Sequence, residues 1–247
     1  MIQDNPTKVA LVTGASGGIG AETAKRLARD GFAVIVNFAG NVAPAEAVVR
    51  EIEAAGGKAV TAQADVSDPA AVRRLFDNAE TAFGGVDVLV NNAGIMKLAS
   101  LADSDDALFD QTLAVNLKGV FNTLREASRR LRDGGRIINL SSSVVGLRPE
   151  TYGVYTATKA AVETMGQILA KELRGRSITV NAIAPGPTAT KLFLDGKPAE
   201  VVDRLSKAAP LERLGQPEDI AGTIAFLAGP DGAWVNGQVL RVNGGIV

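Results

Sequence analysis

The 247-residue chain contains no cysteine and no histidine. Without cysteine there is no disulfide and no thiolate metal site. Without histidine the commonest metal ligand and the usual near-neutral base are missing. Proton transfer near neutral pH then falls to a tyrosine, a lysine or a carboxylate whose pKa has been moved by its surroundings. An excess of charge of one sign is also lacking, because 26 Lys+Arg stand against 27 Asp+Glu for a net charge of -1. Such a balance gives no broad field to draw the protein to nucleic acid or to an anionic membrane. No apolar run is long enough to span a bilayer, and residues 1–6 carry neither the basic nor the apolar region of a signal peptide. These absences point to a cytoplasmic location.

What is present is alternation. Short apolar, β-branched runs predict strands at 9–13, 33–37, 59–64, 86–91, 136–140, 177–183 and 238–242. Helix-like patterns lie between them at 19–30, 44–55, 69–83, 105–132, 152–174 and 217–227. Strands alternating with helices build βαβ crossovers, which require parallel strands with helices on both faces. The expected fold is therefore α/β: a doubly wound, mostly parallel sheet of Rossmann type, as a single domain over residues 1–247. No repeat or linker marks a second domain. The expected irregular stretch is 186–209, where Gly, Pro and Thr punctuate Lys191-Leu192-Phe193-Leu194.

The first predicted strand runs into Thr13-Gly14-Ala15-Ser16-Gly17-Gly18-Ile19-Gly20 and then a helix. Glycines let a backbone turn tightly and approach a pyrophosphate, and free N–H groups at the helix start favour the anion. A Gly-rich turn alone is weak evidence, but its place after the first strand of a βαβ series points to nucleotide binding. Asp65-Val66 and Asn91-Asn92-Ala93-Gly94 follow the third and fourth strands. Each by itself is an ordinary turn or cap; together with the glycine turn they face one crevice at the strand C-termini.

Tyr155-Thr156-Ala157-Thr158-Lys159 lies in an alanine-rich helical pattern, and i, i+4 spacing puts Tyr155 and Lys159 on one face. A tyrosine titrates near pH ~10, so it needs a neighbouring cation to act near neutrality. An isolated pair of this kind is usually a surface Tyr against a Lys stem. The pair is not isolated here. The glycine turn, Asn91-Asn92-Ala93-Gly94, Ser141-Ser142-Ser143, Tyr155 to Lys159 and Pro185-Gly186-Pro187-Thr188-Ala189-Thr190 stand in the order seen in short-chain dehydrogenases/reductases. The resemblance spans nearly the whole chain, down to Asn243-Gly244-Gly245, and resembles most the subgroup labelled 3-oxoacyl-carrier-protein reductase.

The resemblance implies an NAD(P)-dependent enzyme that interconverts a small-molecule ketone or aldehyde and an alcohol. It implies Tyr155 as acid/base, Lys159 as the residue that lowers the Tyr155 pKa and binds the nicotinamide ribose, and Asn116 as holder of a relay water. A helical Asn is otherwise a packing residue. It also implies a serine on the substrate oxygen. Gap-free spacing from Tyr155 selects Ser142, whereas the Val144-Val145-Gly146 that follows selects Ser143. Cofactor contacts are expected from Gly14, Ser16, Gly18, Ile19, Gly20, Asp65, Val66, Asn92, Ala93, Gly94, Tyr155 and Lys159. Pro185, Gly186, Thr188 and Thr190 are expected at the carboxamide end, with 186–209 as a substrate lid.

At the end of the second strand, where NAD-preferring members carry an acid, Phe38 stands within Val36-Asn37-Phe38-Ala39-Gly40-Asn41. The missing acid favours NADP(H) over NAD(H), although no basic residue follows and Gly17 stands where many NADP members carry Arg or Lys. Ser16, Asn37 and Asn41 are the expected partners of the 2′-phosphate. Two other readings stay open. One is a specific 3-oxoacyl-carrier-protein reductase, with Arg129, Arg130, Arg132, Arg174 and Arg176 facing an acidic carrier. The other is a catalytically silent nucleotide-binding regulator. The resemblance and the apolar final segment imply a homotetramer, with a dimer as the alternative.

Overall fold

The computed structural model describes residues 7–247, so the leader reading of residues 1–6 lies outside the described residues. The chain alternates strand and helix: β1 (Val9–Val12), α1 (Gly18–Arg29), β2 (Ala33–Phe38), α2 (Val42–Ala54), β3 (Lys58–Gln63), α3 (Pro69–Phe83) and β4 (Val86–Asn91). There follow α4 (Asp106–Leu113), a π-helical turn (Ala114–Lys118), α5 (Gly119–Arg130), β5 (Leu131–Leu140), α6 (Val144–Leu147), α7 (Gly153–Glu172) and β6 (Thr179–Pro185). The last elements are α8 (Lys191–Leu194), α9 (Ala199–Ser206), α10 (Pro217–Ala228) and β7 (Val239–Val242). Among the described residues, seven strands form one sheet in the order β3-β2-β1-β4-β5-β6-β7. Every neighbouring pair is parallel.

Strand side chains alternate between two cores. In β1, Ala10 and Val12 pack on the face that α1, α2 and α10 cover, with Leu27, Ile52 and Ile224. Val9 and Leu11 point the other way, into the core made with α3, α5 and α7, where Phe76, Leu124 and Val162 are buried. Two-sided burial explains why these strands are apolar throughout, with β1 and β2 fully buried. Local signals set the helix ends. Asp68 accepts from the Ala70 N–H ahead of Pro69 in α3, and Gly84 ends that helix in the left-handed conformation at φ 81. The chain leaves β1 for β2 on one side and β4 lies on the other, so the strand order reverses between β1 and β4. That switch point opens a crevice at the strand C-termini.

Three sequence expectations change. The helix expected over 105–132 is α4 and α5 joined through the π turn, where Gly119 N–H bonds to the Ala114 carbonyl. Strand β5 starts five residues earlier than its expected start at 136, because Leu131 pairs with Val86 before the Gly134-Gly135 bulge. The irregular stretch contains α8 and α9, and Thr190 caps α8 by accepting from the Phe193 N–H.

Candidate active site

The glycine turn and the loop after β4 form one hydrogen-bonded unit. Thr13 Oγ1 accepts from the N–H groups of Asn92 and Ala93, both at 3.0 Å. Asn92 Nδ2 donates back to the carbonyls of Thr13 and Gly14, both at 3.0 Å. Side chains are excluded between the two loops. A Cβ on Gly14 would lie 2.8 Å from Ala93 Cα, and one on Gly20 would lie 2.6 Å from the Gly14 carbonyl oxygen. Gly14 and Gly18 also take positive φ, 61 and 54, where glycine alone is unstrained. Ser16 and Ile19 are half-buried on this turn, and Ile19 reaches the cavity described below. Asp65 is exposed and closes its own turn on the Ser67 N–H, while Val66 is buried under α5, its Cγ2 2.6 Å from where a Gly119 Cβ would stand.

Two expected nucleotide contacts are corrected. Asn37 is buried, its Oδ1 accepting from the Gly14 N–H and its Nδ2 donating to the Ala62 and Ala64 carbonyls. It braces the glycine turn against β3 and has no group left to face a phosphate. Phe38 is 5% exposed and belongs to the core under α2, so its ring does not stand in the crevice. Alternation along β2 sends these two side chains to opposite faces, both of them covered, and the first exposed position is Ala39. Asn41 is exposed at the cap of α2, its Oδ1 accepting from the Ala43 N–H.

Helix α7 carries Tyr155 and Lys159 to the carboxyl end of β5. Tyr155 is 9% exposed, and its hydroxyl faces the Ser142 side chain. Burial pushes its pKa up to about 12, with the Ser142 hydroxyl pulling it back and Tyr152 adding a small upward push. Lys159 is 5% exposed, and burial pushes its pKa down to about 8. Its Nζ donates to the Leu140 carbonyl at 2.7 Å and stands 5.7 Å from the Tyr155 ring centre. The lysine therefore lies over the Tyr155 ring while its hydrogen bond goes to the backbone at the end of β5.

The two serines have different surroundings. Ser143 is 2% exposed; its Oγ donates to the Ala184 carbonyl and accepts from Asn243 Nδ2, both at 3.0 Å. Ser142 is half-buried and faces Tyr155. Asn116 is fully buried in the π turn and clasps Ile95, accepting from its N–H and donating to its carbonyl, both at 2.8 Å. Its side chain thus fixes the irregular segment that continues from Gly94. Gly94 in turn is close to both groups, since a Cβ there would lie 3.3 Å from Asn116 Oδ1 and 3.7 Å from Lys159 Nζ.

Ser142, Tyr155 and Lys159 border a cavity of about 270 Å³, which Met96, Leu147, Tyr152, Leu192, Phe193 and Ile246 also line. Pro185, Gly186, Thr188 and Thr190 form its other edge. Among the described residues lining it, Lys159 alone carries a charge. A Cβ on Gly186 would lie 2.8 Å from Asn243 Cα, and Thr188 bridges Gly215, so this edge is anchored. Sequence reasoning missed Thr13, Tyr152 and Asn243 as builders of the site. Only Asn243 left a signal, in its Asn-Gly-Gly ending.

The arginines expected to face an acidic carrier are largely committed within the chain. Arg130 pairs with Asp77 and Glu80, Arg132 with Asp87, and Arg176 with Asp133 while also bonding the Ser128 carbonyl.

Comparison with known proteins places the chain in a family. A family described as enoyl-(acyl carrier protein) reductase matches residues 14–247. A short-chain type dehydrogenase/reductase of Picea abies is 48% identical over 97% of this chain and 92% of its own. An NADPH-dependent aldehyde reductase-like chloroplastic protein of Arabidopsis thaliana is 45% identical over 97% and 94%. A 3-oxoacyl-[acyl-carrier-protein] reductase of Staphylococcus aureus is 43% identical over 97% and 98%. The solved structure of a short chain dehydrogenase from Burkholderia cenocepacia in complex with NADP superposes with a TM-score of 0.92 at 42% identity, covering 98% of each chain. The glycine turn clamped to the Asn-Asn-Ala-Gly loop, the buried Tyr155–Lys159 pair and these matches together make the chain a member of the short-chain dehydrogenase/reductase family.

Proposed function

We propose that the protein is an NADP(H)-dependent reductase of small apolar aldehydes or ketones. The observation that carries this reading is the facing pair of Ser142 and Tyr155 hydroxyls set against a cavity in which, among the described residues, Lys159 is the one charged lining group. A carbonyl oxygen entering between the two hydroxyls meets two donors, and apolar groups beyond it meet Met96, Leu147 and Phe193. Ser142 orients the oxygen, and Tyr155, protonated at neutral pH, delivers the proton. Lys159 offers a cation beside the site, and Asn116 braces the strand opposite.

A dinucleotide fits the crevice, because three glycines clear space that side chains would fill and the α1 N-terminus follows directly. Gly14, Ser16, Gly18, Ile19 and Gly20 would hold its pyrophosphate side. Asp65, Val66, Asn92, Ala93 and Gly94 would line the adenosine and central parts, and Tyr155, Lys159, Pro185, Gly186, Thr188 and Thr190 the nicotinamide end. When bound, it supplies the hydride. The absence of an acid at the end of β2 and the NADPH and NADP named for two relatives support NADP(H). Ser16, Ala39 and Asn41 are the groups left for a 2′-phosphate.

The segment 186–209 serves as the lid, with Leu192, Phe193 and Leu205 turned to the cavity. Exposed Phe121, Ile168 and Trp234, the last 98% exposed, support a homotetramer. A chain without cysteine has no use for an oxidising compartment, which supports the cytoplasm. Reduction of a carrier-bound 3-oxoacyl group is the second reading, favoured by the Staphylococcus aureus relative and opposed by the paired arginines. The test is oxidation of NADPH with a panel of apolar aldehydes, ketones and 3-oxoacyl thioesters. Aldehydes or ketones should be turned over best; a strong preference for the carrier-bound thioester would select the second reading, and no turnover would leave a regulatory binder.

A further inference from the structure

The chain enters the site through Leu140-Ser141-Ser142, and each of these residues meets a different turn of α7. Lys159 donates to the Leu140 carbonyl at 2.7 Å, Ser141 Oγ donates to Glu163 Oε1 at 2.5 Å, and the Ser142 side chain faces the Tyr155 hydroxyl. Tyr155, Lys159 and Glu163 stand at i, i+4 and i+8, so they share one helix face. The first and second belong to the acid/base machinery of the proposed function. The third has no place in it.

Alternation in β5 explains the contact. Ile138 and Leu140 enter the core under α1 and α10, whereas Ile137 enters the core under α7. Asn139 and Ser141 share the Ile137 side, so Ser141 points toward α7. Its hydroxyl is on a residue only 4% exposed, with the carboxylate of half-buried Glu163 as its acceptor. Backbone bonds from Ser141 N–H to the Ile183 carbonyl and from Ser143 N–H to the Pro185 carbonyl fix this strand end to β6. Those bonds run within the sheet. Nothing in them sets how far the strand end stands from the helix above it, and that distance decides where the Ser142 hydroxyl meets Tyr155. Ser142 itself is loosely tied, its Oγ accepting from the Val144 N–H at 3.4 Å.

We infer that Glu163 is a positioning residue: by accepting the Ser141 hydroxyl proton it sets the spacing between β5 and α7 and so holds Ser142 against Tyr155. The inference rests on the acid/base reading of Tyr155 given above. It requires an acceptor at this position, not a charge.

Four variants test it on the full-length protein: Glu163→Ala, Glu163→Gln, Ser141→Ala and, as reference, Tyr155→Phe. The substrate is the aldehyde or ketone from the panel that the wild type reduces fastest, and NADPH affinity is read independently from nucleotide fluorescence. Glu163→Ala should lower kcat about tenfold, as expected for one charge-assisted hydrogen bond, while KM and NADPH affinity stay within about threefold. Ser141→Ala, which removes a single oxygen and endangers folding least, should match it. Glu163→Gln keeps an acceptor and should recover most of the lost kcat. The inference is overturned, with the acid/base reading intact, if Tyr155→Phe is inactive while Ser141→Ala and Glu163→Ala keep wild-type kcat. It is equally overturned if Gln is no better than Ala, or if the loss lies in NADPH affinity. Near-native turnover by Tyr155→Phe would instead remove the reading on which it rests.

Discussion

Lys159 holds its ammonium 5.7 Å from the centre of the Tyr155 ring yet gives its hydrogen bond to the Leu140 carbonyl. The cation is close enough to attract the ring face electrostatically. Burial is the largest influence on the tyrosine and pushes its pKa up to about 12. A tyrosine in that state carries its proton throughout the neutral range, which suits the donor in carbonyl reduction. Alcohol oxidation begins with proton removal and has the opposite requirement.

Replacing Tyr155 by Phe should therefore reduce turnover by about a hundredfold or more, the usual scale of a lost general acid. The ring packing remains, and NADPH affinity should change little. For the wild type, alcohol oxidation should accelerate as pH rises while carbonyl reduction does not. Steady-state rates in both directions across pH check this, and an oxidation rate independent of pH would contradict it.

Lys159 also makes a prediction about stability. Its pKa is about 8 in the folded protein against 10.5 for an ordinary lysine. Between those values the unfolded chain binds more protons than the folded one, so stability rises with pH by at most about 1.4 kcal/mol per unit. Above pH 10 the raised Tyr155 acts in reverse, because the folded state then holds the extra proton. Thermal melts should show the wild type gaining stability from pH 8 toward 10 relative to Lys159→Met, which lacks the titrating group. Parallel curves for the two proteins would show that Lys159 is not the source.

Ser142 and Ser143 should separate cleanly. Ser143→Ala removes a buried hydroxyl that makes two bonds and should cost about 1–3 kcal/mol of stability with modest effect on turnover. Ser142→Ala should do the reverse, lowering turnover about tenfold or more with little change in melting temperature. Parallel measurement of kcat and thermal denaturation distinguishes the two patterns. A larger turnover loss at Ser143 would reassign the substrate-binding hydroxyl.

The 2′-phosphate position is best probed from the exposed residues. Gly17 is extended, at φ -176, and a Cβ there meets nothing within 4 Å. Gly17→Arg should tighten NADPH selectively and in a salt-sensitive way, whereas Ala39→Asp should weaken NADPH relative to NADH by roughly tenfold. Phe38→Asp should instead impair both nucleotides alike, because it places a carboxylate in the core under α2. Affinities for both nucleotides across the three variants decide it. A selective loss of NADPH in Phe38→Asp would restore Phe38 as the residue that reads the ribose.

Much of this architecture was legible before the structure. Apolar runs between helical patterns gave seven strands in the right places, since strands buried on both faces have few other ways to be written. The features that escaped are those fixed by distant contacts. The helix over 105–132 has an unbroken helical pattern, and the π turn within it appears only when Asn116 clasps Ile95, which lies 21 residues away. The four-residue α6 is too short and too β-branched to signal itself. Asn37 and Phe38 were expected at the nucleotide, but helices cover both faces of β2 at this point, so the two side chains are buried on opposite faces. Periodicity gives the alternation along β2, not which of its faces meets the ligand.

The segment that walls the cavity is tied to Gly215 and Val242 at its start, but between residues 190 and 207 the polar bonds of Thr190, Lys197 and Lys207 are internal to it. Thr190 caps α8, Lys197 donates to the Phe193 carbonyl, and Lys207 pairs with Asp203. It offers Leu192, Phe193 and Leu205 to the cavity but no hydrogen bond to Ser142, Tyr155 or Lys159 among the described residues. On the proposed function, the proton donor and much of the wall that would select the substrate thus lie in separable parts of the chain. Replacing side chains between 191 and 206 can retune which carbonyl compounds are accepted while the proton donor and its supports keep their geometry, so a library confined to that stretch is the economical route to new specificities.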